Sequence, residues 1–212
     1  MTIGATDRMR VALTFDCGPW VADGTLESIL ATLDGAGVRS TFFVTGQFIE
    51  RHPDLFAAVA ARHELGNHSY SHPSFPSLTA AQQRRELERT EALAEAAGHS
   101  TRPLWRAPFG ARNPRVVAGA AEVGWPVHVF WSLLRTPRGW VTGDSGDWRD
   151  IAAQDVLQNV LAAVDQIGPG TILVHHCNSG LTAEVLPAIL QGLAERGFES
   201  VPVSVLIETP PG

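Results

Sequence analysis

Short β-branched and aromatic runs alternate with helical stretches along this chain, and that alternation leaves few folds open. Arg10-Val11-Ala12-Leu13-Thr14-Phe15 reads as a buried strand ended by Gly18-Pro19, which leaves Asp16 and Cys17 at its C-terminal tip. A helix over Thr25 to Leu33, a strand over Ser40 to Val44 and an Ala-rich helix over Pro53 to Arg62 follow, and His63 to Asn67 reads as a short extended run. Thr79-Ala80-Ala81-Gln82 has the capping-box pattern and predicts a helix to about Ala97, whose Arg/Glu-rich run is read as solvated surface. Beyond it the same reading gives strands over Pro103 to Trp105, Val127 to Trp131, Thr171 to Val174 and Ser200 to Leu206. The helices between them run over Asn113 to Gly124, Asp155 to Ile167 and Thr182 to Arg196. Strand-helix units at this density predict an α/β fold, a distorted (β/α) barrel of seven or eight parallel strands, with an open doubly wound sheet as the alternative. In both folds the strand C-termini share one face, where active sites are built.

With 212 residues, 44% of them apolar and 18% charged, residues 1–212 have the makeup of one domain with a core of its own. A formal charge of −6 argues against a nucleic-acid groove or an anionic membrane surface as partner. No stretch approaches the roughly 20 apolar residues of a membrane span, and Met1 to Arg8 contains no apolar leader core, which favours the cytoplasm unless a leader has been removed. Cys17 and Cys177 are too few for a disulfide scaffold and read first as thiols, second as a pair.

The residues with chemistry fall at the strand ends: Asp16 and Cys17, then His68 and His72, Arg106, Asp147 and Trp148, and His175, His176 and Cys177. Two imidazoles in His68-Ser69-Tyr70-Ser71-His72-Pro73 are half of a metal site. Taken in order, Thr14-Phe15-Asp16-Cys17-Gly18-Pro19, His68 to Pro73, Arg106-Ala107-Pro108-Phe109-Gly110, Asp144-Ser145-Gly146-Asp147-Trp148 and Leu173-Val174-His175 resemble the five motifs of the polysaccharide deacetylases, the NodB-homology carbohydrate esterases of family 4.

That resemblance implies a NodB-like barrel, a divalent metal and hydrolysis of an N-acetyl amide to an amine and acetate. It assigns Asp16 as the base with Arg106 pairing to it, His175 as the acid oriented by Asp147, and His68 and His72 as metal ligands. Leu173 and Trp148 would wall the acetyl pocket, and the backbone N–H of Phe109 would serve as oxyanion donor. A metal with an open position polarises the carbonyl and lowers the pKa of bound water, and a departing amine needs a proton, so the chemistry agrees.

The chain departs from the pattern at Cys17, where the family carries a second aspartate as third metal ligand. A Cys17-His68-His72 centre favours zinc, with Co2+, Ni2+ or Mn2+ as alternatives; the rival is a site without metal that binds glycan uncleaved. If Cys17 and Cys177 are neighbours, oxidation would bridge them and remove the ligand. His176 stands where the family has an Asp and receives no role. Leu133 to Gly143 reads as an inserted loop bordering the substrate cleft, its Trp140 and Arg135 clamping substrate or anchoring the loop. The expected substrate is an N-acetylated sugar or small N-acyl compound. A cyclic imide or ureide hydrolase is the second class, and the oligomeric state stays open.

Overall fold

The computed structural model describes residues 4–207. In chain order its elements are β1 (Arg10–Cys17), α1 (Thr25–Gly35), β2 (Thr41–Val44), α2 (Gly46–Arg51), α3 (Pro53–Ala60), β3 (Glu64–Asn67), α4 (Ala80–Ala96), β4 (Leu104–Trp105), α5 (Pro114–Glu122) and β5 (Val127–His128). Then come β6 (Leu133–Thr136), β7 (Gly139–Thr142), α6 (Ala153–Ile167), β8 (Ile172–His176), α7 (Gly180–Glu195), β9 (Glu199–Ser200) and α8 (Val203–Ile207). Seven strands form one sheet in the order β5-β4-β3-β2-β1-β8, with β9 paired to β1. The pairings of β1 with β9, β3 with β4 and β4 with β5 are parallel, as the alternation of strand and helix predicts.

The chain divides into two compact units. One draws on Met1–Phe15, Ala22–Thr41 and Trp131–Gly212, the other on Asp16–Val21 and Phe42–Phe130. In the first unit α6 and α7 pack together and α7 also covers α1, burying Val156, Val160, Val164, Leu186 and Ile189. The second has a cluster of Phe75, Leu87, Trp105, Val116 and Trp125 between α4, α5 and β4. Continuous apolar strands such as Val11 to Phe15 are buried on both faces, the signature of a sheet covered by helices.

Local signals act as expected at several boundaries. The Thr79 side chain accepts from the Gln82 N–H while the Gln82 amide oxygen accepts from the Thr79 N–H, a complete capping box. Asn113 accepts from the Val116 N–H ahead of Pro114.

Four expectations need correction. The strand over Val127 to Trp131 shortens to β5, and the strand near Ser200 to Leu206 splits into β9 and helix α8. The inserted loop is an antiparallel hairpin, β6 with β7, in which Arg135 lies opposite Trp140. Gly143 ends it against β8, where a Cβ would run into the Ile172 carbonyl. The charged face of α4 is only partly solvated: Arg84 and Glu88 form the exposed i,i+4 pair, but Glu91 is buried and accepts from Ser100, Thr101 and Arg102.

His128 is buried with its ring edge-on to Trp105, and burial pushes its pKa down to about 3. The unfolded chain binds this proton near pH 6.5 and the folded chain does not, so stability falls as pH drops through 6.5 toward 3. Between about pH 7.5 and 5.5 the loss from His128 is about 1.4 kcal/mol. Urea midpoints across this range should show it, and His128→Phe should flatten the slope; an unchanged slope would mean the proton is taken up elsewhere.

Candidate active site

In the second unit, β1 ends in Asp16 and β4 runs into Arg106, so parallel strands deliver the two charges to one place. Arg106 is fully buried and its Nη1 donates to Asp16 Oδ1 at 2.7 Å, with Nε donating to the Val129 carbonyl at 3.3 Å and the guanidinium 4.1 Å over the Phe43 ring. Burial pushes the Arg106 pKa down and the Asp16 charge opposes it. Asp16 Oδ2 lies 3.6 Å from His68 Nε2.

His68 follows directly on β3, and its Nδ1 donates to the Arg106 carbonyl at 2.9 Å, which leaves Nε2 as the lone-pair nitrogen. The His72 ring is 4.9 Å from the His68 ring and nearly perpendicular to it, and 4.6 Å from the ring of Phe109. The turn carrying both imidazoles is strained: Ser69 and His72 have φ of 70° and 62°, in the left-handed region. Hydrogen bonds hold it. Asn67 Oδ1 accepts from the Ser69 N–H, Ser69 Oγ accepts from the His72 N–H, and Glu86 of α4 accepts from the Tyr70 and Ser71 N–H groups at 2.9 and 2.8 Å.

These positioning residues escaped the sequence reading. Asn67 and Ser69 have the spacing of an Asx turn, a signal that was available. Glu86 was hidden in a charged run whose periodicity is that of solvent-facing helix.

In the first unit the chemistry gathers on Asp147. Its Oδ1 lies 2.7 Å from His176 Nδ1, and its Oδ2 accepts from the His176 N–H at 2.8 Å and from the Thr182 hydroxyl. Ser179 Oγ donates to the Asp147 carbonyl at 3.0 Å. Burial alone would raise the carboxyl, but the hydrogen bond and charge of His176, the charge of His175 and the Thr182 hydroxyl more than offset this and hold Asp147 below its ordinary value. His176, Ser179 and Thr182 are further partners the sequence reading left without a role.

The expected Asp147–His175 pair is therefore corrected to Asp147–His176. Along β8 successive side chains alternate between faces, so His175 and Leu173 share one face while His176 and Val174 share the other. His175 is fully buried with its ring 5.4 Å from Phe15, and burial pushes its pKa down, the neutral state of a core residue. Leu173 is wholly buried too, its carbonyl accepting from Thr14 Oγ1 at 2.6 Å.

Trp148 is exposed, its Nε1 donating to Asp144 at 3.3 Å. Trp140 is exposed on the hairpin with Arg135 5.2 Å over its ring. Phe109, at φ 58°, exposes its side chain in the second unit.

The metal expectation meets a covalent fact: the chain contains two cysteines, Cys17 and Cys177, and both are disulfide-bonded, with no free cysteine among the described residues. They are not the thiols first expected, and a disulfide sulfur is no thiolate ligand. Among the described residues no group of three or more His, Cys, Asp or Glu is placed to hold a metal ion. Two imidazoles prepared for ligation remain, and Asp16 is engaged by Arg106. In this covalent state the residues do not fit a Cys17-His68-His72 centre.

A conserved-family comparison fits this geometry. Residues 3–128 match the family model described as polysaccharide deacetylase. The chain belongs to the polysaccharide deacetylase family. It is 28% identical to the peptidoglycan-N-acetylglucosamine deacetylase of Bacillus cereus over 97% of its own length and 71% of that protein's. Among solved structures it resembles the family 4 carbohydrate esterase of Streptomyces lividans in complex with acetate, with TM-score 0.76, 31% identity and coverage of 92% and 93% of the two chains. It also resembles an activity-restored mutant of a pseudoenzyme of the same esterase family from Bacillus anthracis, with TM-score 0.85, 28% identity and coverage of 98% and 71%. The fold is thus the α/β NodB-like distorted barrel of this family, whose deacetylases remove N-acetyl groups from glycans and as a class depend on a divalent metal. No helix of the described residues is long and apolar enough to cross a membrane.

Proposed function

We propose that this chain, as one catalytic domain over residues 1–212, hydrolyses the N-acetyl amide of an amino sugar in a glycan or small conjugate, giving an amine and acetate. The observation that carries the reading is the pair of prepared groups, an ionised carboxylate fixed by a buried arginine and an imidazole fixed by a buried carboxylate. Asp16 takes the proton from the attacking water, and Arg106 holds it as the anion in the right direction. His176 gives its proton to the departing amine nitrogen, with Asp147 fixing its ring and favouring the imidazolium. The backbone N–H of Phe109 donates to the developing oxyanion, and Trp148, Val174 and Trp140 border the sugar and its acetyl group. Zinc is the metal this donor chemistry favours, and it belongs to the thiol form of Cys17. A reducing cytoplasm is where that form would prevail.

The test is a substrate panel on reduced protein. N-acetylglucosamine oligomers should release acetate and free amine in equal amounts. Turnover of a cyclic imide or ureide alone would overturn the reading. The disulfide-bonded Cys17 favours a second reading, a glycan binder without turnover, like the pseudoenzyme among its relatives; binding of the oligomers with no acetate after reduction would establish it.

A further inference from the structure

We infer that the disulfide is a redox gate on the metal half-site, so that the chain has a metal-free oxidised form and a metal-binding reduced form. The inference deepens the deacetylase reading and rests on it for the meaning of the gate. Its basis is a disagreement within one small region. His68 is tautomerically set, by its bond to the Arg106 carbonyl, to offer Nε2, and His72 is held in a strained backbone conformation beside it. Strain of this kind persists where the surroundings enforce it, here through Asn67, Ser69 and Glu86. Cys17, next to Asp16 at the end of β1, is fully buried with its sulfur in a disulfide. Two ligands are thus prepared while the residue that would join them is covalently capped.

Opening the gate balances as an ordinary exchange. A dithiol reductant attacks one sulfur of the disulfide, the S–S bond breaks, and a second exchange expels the reductant as its own disulfide. Two electrons and two protons pass to the chain, and Cys17 and Cys177 become thiols. Cys17 then offers its sulfur, as the thiolate, beside two imidazoles, a donor set suited to zinc.

The experiment is zinc titration of the full chain in oxidised and reduced forms, with no substrate present. Reduced wild type and an unreduced Cys177→Ser variant should each bind about one zinc. Oxidised wild type and Cys17→Ser should bind at least tenfold more weakly. Equal zinc affinity in oxidised and reduced wild type would overturn the gate. So would absence of zinc from both reduced wild type and Cys177→Ser when their circular dichroism shows them folded. Because zinc is read directly, a gate that works in a protein releasing no acetate would sink the deacetylase reading and leave the gate standing.

Discussion

Asparagine in place of Asp16 is expected to abolish hydrolysis and to cost about 3–5 kcal/mol of folding stability in the same variant. Arg106 is wholly buried, and its Nη1 bond to Asp16 at 2.7 Å is its only charge-assisted contact among its described bonds; the others are the Val129 carbonyl and the Phe43 ring. Burial already disfavours the guanidinium, and removing the carboxylate leaves the cation without its counter-charge. Asparagine keeps the shape, so the loss reports charge rather than packing. Urea unfolding reads the stability term and acetate release the catalytic one. Asp165→Asn, which breaks an exposed pair with Arg196, should leave stability nearly unchanged. A variant at Asp16 as stable as wild type would show that Arg106 is compensated by another group.

The second large effect separates two adjacent histidines. His176→Gln should lower the rate roughly a hundred- to ten-thousandfold, the range for loss of a general acid. His175→Phe should stay within about tenfold of wild type, since that ring is core packing against Phe15. The pH profile adds a readout that packing cannot mimic. A general acid loses activity as pH rises and its proton leaves, and ionised Asp147 holds that proton on His176. Asp147→Asn should therefore move the alkaline limb to lower pH. Loss of activity in His175→Phe with His176→Gln intact would restore the first assignment.

The pairing of these histidines marks where the sequence stops being legible. A strand near residue 174 was readable from its β-branched run, but its register was not, because apolar residues on both faces of a covered strand remove the alternation that would say which histidine faces out. One residue of slip exchanged His175 for His176 and Leu173 for Val174. The capping boundaries at Thr79 and Asn113 were readable because the side chain that ends the helix is local in sequence. The α8 segment was misread as strand for the opposite reason: Val201 to Ile207 is β-branched, and its helix forms within a tertiary setting that overrides that propensity. Among the site residues, Asp16, Arg106, His68 and His72 could be found from their motifs. What their motifs could not convey was the covalent state of Cys17, since one intervening pair of thiols in sequence is compatible with ligand, thiol or disulfide.

Acetate release from N-acetylglucosamine oligomers, measured on one sample before and after reduction in the presence of zinc, tests the account most directly. It predicts little acetate from the oxidised chain and a rise of at least tenfold on reduction, abolished by Asp16→Asn. Zinc bound and glycan bound with no acetate in either state would contradict it, and would make the chain a binding member of a family of hydrolases.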